Sequence, residues 1–142
     1  MKYTDIISLE IAYEFIGVDF TLRPDLSAIP DRFSRGMQAL MDAQAVTEAM
    51  NKADNPKVPF LPDYNNASQD KYGPWAIGGS GDGTGAGFSV GDYGWSYTYS
   101  LACGGARLAL SKPGRVAHIK KYFPNLYKEI FLILSGGDLY QV

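Results

Sequence analysis

One cysteine and one histidine stand in 142 residues, and that shortage narrows the chemistry at once. Cys103 has no partner for an intramolecular disulfide, so the fold does not rely on an oxidising compartment. Cys103 and His118 together cannot supply the four nitrogen and sulfur ligands that zinc usually takes. Around Asp82 the spacing of carboxylates that a calcium loop needs is missing. Histidine-based nucleophilic catalysis needs the base beside its nucleophile, and no spacing ties His118 to Cys103 or to a serine. His118 therefore reads as a surface or half-buried helical residue, and Cys103 as a buried inert thiol. No cofactor is implied and no catalytic residue is assigned, so the chain reads as a non-enzyme.

Long apolar runs are also missing. The longest, Ile130 to Leu134, is far too short to span a bilayer, so no membrane partner is expected. MKYTDIISLE has no apolar signal core. The expected setting is the host cytoplasm or a virion, without secretion by a signal peptide. The formal net charge is only −2, too small a field to argue for nucleic acid. Arg107, Lys112, Arg115, Lys120, Lys121 and Lys128 do lie close together in sequence. That run reads as the solvated side of a helix, with a local anion site as the rival reading.

What is present suits one folded domain over 1–142. Hydrophobic residues make up 46% of the chain and charged residues 20%, which places it among globular chains rather than disordered ones. The expected fold is α+β: N-terminal helices over 1–55, a loop and small antiparallel sheet over 56–110, and a C-terminal helix or kinked pair over 111–136 packed on the sheet. A first helix is expected within 4–17, with Leu9, Ala12, Tyr13 and Ile16 on one face, Ser8 as N-cap and Gly17 as stop. A second should run from Pro30, as its first residue, to Lys52. Its apolar stripe would begin at Phe33, Met37, Leu40, Met41 and Gln44, then continue through Val46, Ala49, Met50 and Ala53. Residues 54–66 read as a proline-rich surface connector. Strands are expected near 73–78, 87–91, 94–102 and 105–110. Ser111 should then cap a helix with Pro113 in its first turn, and Pro124 must kink that helix or start a new one.

Of sixteen glycines, eleven lie between Gly73 and Gly105. Gly79, Gly81, Gly83, Gly85 and Gly87 alternate with small residues. Neither Gly-x4-Gly-Lys-[Ser/Thr] nor Gly-x-Gly-x-x-Gly occurs, so the run reads as a flexible loop or a closely packed strand. A weaker anion-site reading would gather Gly81, Gly83, Arg107, Ser111 and Lys112 at a helix start. The alternation Tyr93, Trp95, Tyr97, Tyr99 and Leu101 puts aromatics on one face of a strand and Gly, Ser and Thr on the other. Such a face packs well in a core. It also has the vocabulary of binding surfaces, since Tyr and Trp give contact area at low entropy cost and Ser and Gly adapt. The candidate contact residues are Tyr93, Trp95, Tyr97 and Tyr99, with Trp75 and Arg107 in support.

Several motifs, in order, resemble an uncharacterised family of gut-bacterial and phage proteins. They are Ile29-Pro30, Asp63-Tyr64-Asn65-Asn66, Lys71-Tyr72-Gly73-Pro74-Trp75, Gly87-Phe88-Ser89, Gly105-Ala106-Arg107-Leu108 and Phe123-Pro124-Asn125-Leu126-Tyr127-Lys128. The chain departs from that pattern at Ala76, Ala106 and Ala109. The resemblance implies an architecture and a phage or prophage setting but no reaction. The tyrosine-rich stretch ending in Gly-x-Arg-Leu is also similar to the variable repeat of retroelement-diversified proteins with a C-type-lectin-like fold. The leading expectation is a non-enzymatic binding module whose partner is a protein or a small molecule, with self-association as a further candidate. A nucleotide-sequestering protein that counters host defence and a virion structural or decoration protein are the rivals.

Overall fold

The structure, a computed structural model, describes residues 1–26, 28–63, 66, 68–77, 87–90 and 108–135. Among them lie four α-helices: α1 (Leu9–Phe15), α2 (Arg32–Lys52), α3 (Pro113–Tyr122) and α4 (Pro124–Ser135). Short 3-10 turns at Tyr3–Asp5 and Phe20–Leu22 precede and follow α1. Among the described residues, extended pairing is limited to a two-stranded antiparallel ribbon, β1 (Pro74–Ile77) with β2 (Gly87–Val90), and one isolated pair, Tyr72 with Leu110. The fold is therefore helical, and the expected α+β arrangement of a C-terminal helix laid on a sheet is corrected. A ribbon of two short strands has little stability of its own in water. The core is built from helix faces instead.

Local chemistry explains the helix ends. Ser8 caps α1, its hydroxyl accepting the Ile11 N–H at 3.3 Å. The α1 helix stops at Gly17, whose φ of +85° is the left-handed geometry that glycine adopts cheaply. Lys52 of α2 donates to the Phe15 carbonyl at 3.0 Å, placing a cation where the α1 dipole is negative. Asp31, not Pro30, is where α2 begins. Its carboxylate accepts the Ser34 N–H at 2.9 Å, a cap worth about 1 kcal/mol. Pro30 lies one residue outside the cap. The start of α3 also shifts by one: Lys112 is the N-cap, without a side-chain capping bond, and Pro113 is the first helical residue. Pro124 opens a new helix after the buried Phe123, which is one of the two outcomes expected of it.

The core lies where α1, α3, α4 and Leu108–Leu110 meet α2. Ala39, Ala43, Val46, Ala49, Met50 and Ala53 form the buried side of α2. Small side chains there let neighbouring backbones approach closely. Tyr127 of α4 is fully buried, its hydroxyl 3.3 Å from Thr47. The expected α2 stripe is right for its second half; in its first, Leu40 packs on the core but Phe33, Met37 and Gln44 do not. Phe33 and Met37 are 59% and 52% exposed, and Gln44 is exposed too. The 105–110 strand is also corrected at its described end: Leu108 to Leu110 is a buried turn and a single bridge.

His118 is not a surface residue but a buried one. Its Nε2 lies 2.7 Å from the Ile6 carbonyl. A carbonyl only accepts, so Nε2 carries the proton. Tyr3 meets the ring edge-on and Tyr122 lies beside it. Arg115 is likewise buried, ion-paired to Asp54 and stacked over Tyr3. The basic run is thus not one solvated face. Lys120 and Lys121 are exposed, whereas Arg115 fastens the N-terminal turn to α3. No helix among the described residues is long and apolar enough to cross a membrane.

Candidate functional site

A groove opens between the start of α1, the connector 26–31, the first half of α2 and the α3–α4 junction. Its cavity volume is about 730 Å³. Small-molecule sites usually measure roughly 300–1,000 Å³. Ala39 and Phe123, both buried, floor it, and half-buried Leu9, Leu26 and Leu126 form its walls. Ile7, Ile29 and Tyr122 make an exposed apolar rim.

A buried polar cluster closes one end. Asp42 is almost fully buried. Its Oδ1 accepts the Tyr13 hydroxyl at 2.7 Å and Arg23 Nη1 at 3.3 Å. Gln38 Nε2 reaches both carboxylate oxygens at 3.2 Å. Gln38 Oε1 in turn accepts the Leu26 N–H at 2.7 Å, which holds the connector against α2. Arg23 also lies 4.6 Å over the Phe20 ring, an arrangement that favours the cation. Burial, and then the hydrogen bond to Asp42, push the Tyr13 hydroxyl well above the ordinary phenol range. Tyr13 therefore stays protonated as a donor to Asp42. The arrangement is an ion pair supported by hydrogen bonds, so it positions the groove wall. Across the groove, Arg35 Nε on α2 meets Glu129 Oε2 on α4 at 2.7 Å.

The residues singled out from sequence fall largely elsewhere. Tyr93, Trp95, Tyr97, Tyr99 and Arg107 lie outside the described residues, as do Gly81, Gly83 and Cys103. Trp75 pairs with Ser89 across the β1–β2 ribbon, and its side chain is outside the described set. Ser111 is half-buried and Lys112 exposed at the start of α3. Arg115, three residues further on, faces Asp54, whose carboxylate opposes an anion nearby. Among the described residues no three His, Cys, Asp or Glu side chains gather where an ion could sit. Sequence reasoning missed Asp42. Its signal was an acid inside the apolar run Ala39-Leu40-Met41-Asp42-Ala43, a position that calls for a buried partner. The groove had no sequence signal, because four separate segments make it. No family, curated protein or solved structure matches this chain.

Proposed function

We propose that the protein is a non-enzymatic binding module, encoded by a phage or prophage, that holds a ligand in the groove between α1, α2 and α4. The groove carries the reading, because it offers a ligand-sized, largely apolar concavity. The phage setting rests on the family resemblance of the motif order. The alternating stretch Tyr93, Trp95, Tyr97 and Tyr99 supplies a second contact surface in this proposal, on the strength of its composition. The anion-site reading has less support, since Arg115 is committed to Asp54 beside Lys112.

A chemically mixed fragment library screened by amide chemical-shift perturbation tests the reading. Fragments that bind should shift Leu26, Ile29, Gln38 and Leu126 together. Hits that fall on no common site, or on residues remote from the groove, would remove the support that the groove gives.

A further inference from the structure

A second surface lies apart from the groove, in the connector that follows α2. We propose that residues 58–62 are a docking segment, read in the polyproline II conformation by a protein partner whose own groove is lined with aromatic side chains.

Val58-Pro59-Phe60-Leu61-Pro62 repeats an apolar–proline pair at a spacing of three. Proline fixes its own φ and pushes the residue before it, here Val58 and Leu61, into extended backbone. A polyproline II helix has about three residues per turn, so positions three apart share an edge. Burial follows that division. Val58 and Leu61 are 71% and 74% exposed. Phe60, on another edge, is half-buried, and its N–H donates to the Asn51 carbonyl of α2 at 3.0 Å. A turn leads into the segment, closed by the Val58 N–H on the Asn55 carbonyl at 3.2 Å. Further on, Gln69 Nε2 donates to the Leu61 carbonyl at 3.0 Å. The segment is thus tethered to α2 with two large apolar side chains in solvent.

Backbone chemistry selects the mode of recognition. Pro59 and Pro62 have no N–H to give, so the segment is a poor strand for a partner's sheet to add. Residues 59–63 are neither helix nor strand, and two prolines three apart oppose a helix that would lie in a partner's groove. Side-chain reading of a stiff rod remains, with each apolar–proline pair seated between aromatic rings. Such a rod loses little freedom on binding, because the prolines and the tether to α2 already restrict it. Charge narrows the partner further. Lys57 is exposed and is the only charged residue between Asn55 and Pro62. Asp54, nearby in sequence, is ion-paired to Arg115. The complementary groove therefore carries a carboxylate at its Lys57 end.

Purified SH3 and WW domains, which seat proline-rich segments between aromatic rings, are the probes. Each is titrated into the full-length protein, with the methyl resonances of Val58 and Leu61 as the readout. At least one domain should shift both saturably. Leu61→Ser should weaken that domain about ten-fold or more while leaving the thermal midpoint unchanged. Pro59→Ala, which restores an N–H and frees φ, should weaken it in the same direction. Lys57→Glu should slow association, most clearly at low salt. If no probe domain moves the two methyls, the proposal is overturned. It is equally overturned if a domain binds and both Leu61→Ser and Pro59→Ala keep the wild-type affinity.

Discussion

The two halves of α2 do different work. From Asp42 to Lys52 the helix is buried on most sides, against α1, α4 and Leu108–Leu110. From Arg32 to Met41 only a narrow strip containing Gly36 and Ala39 is buried, while Phe33 and Met37 face outward. One continuous helix is thus a structural post at its C-terminal end and a groove wall at its N-terminal end. Asp42 sits at the boundary, with its carboxylate joined to Tyr13, Arg23 and Gln38. A helix can therefore keep its stability in one half and leave the other to line a groove. The two can then be perturbed separately.

Breaking the boundary should cost most. Asp42→Ala leaves Arg23 without its carboxylate and Tyr13 without its acceptor, at an expected loss of about 3–5 kcal/mol in unfolding free energy. Urea denaturation followed by far-UV circular dichroism measures it. A loss below about 1 kcal/mol would mean the cluster is not a structural joint. Next comes the contrast between two methionines. Met50 is fully buried, so Met50→Ala should cost about 2–5 kcal/mol. Met37→Ala, on the exposed half, should stay within about 0.5 kcal/mol. Equal losses would erase the division of the helix.

Smaller effects sharpen the same boundary. Tyr13→Phe should cost about 1–2 kcal/mol at neutral pH, the scale of a hydrogen bond to a charged acceptor. The cost should also depend on alkalinity. The folded state holds the Tyr13 proton more tightly than the unfolded chain does, so this contribution is full below the ordinary phenol value of about 10 and declines as pH rises past it. Melting curves at stepped pH should show the wild-type advantage over Tyr13→Phe shrinking between about pH 9 and 11. Smallest is Arg35→Ala. Its ion pair with Glu129 is largely solvated, so the expected change is below about 1 kcal/mol and fades with added salt.

What could be read from the sequence was mostly local. Ser8, Gly17 and Pro124 each act through their own backbone neighbourhood, and each marks a helix boundary in the structure. The buried side of α2 was legible where Val46, Ala49, Met50 and Ala53 supply apolar periodicity. Its first half misled because size was taken for burial: Phe33 and Met37 are large and exposed, while Ala39 and Ala43 are small and buried. His118 was expected to be surface or half-buried and Arg115 solvated, because the groups that bury them, Ile6, Tyr3 and Asp54, lie far away in sequence. The two-residue alternation at 93–101, from which one strand was expected, lies outside the described residues, and alternation alone does not specify a pairing partner. The groove has the same limitation, since no single segment holds more than one of its sides.

Tyr72 and Leu110 exchange two backbone hydrogen bonds, at 2.9 Å and 2.8 Å. This pair works as a clasp on the chain between them, whose two ends it holds side by side on the helical body. Closing a longer excursion on such a clasp costs only about 0.6 kcal/mol for each doubling of length. Within that span β1 packs against α3 and α4 and β2 against α3, so the clasp and the ribbon together join the excursion to the helical body.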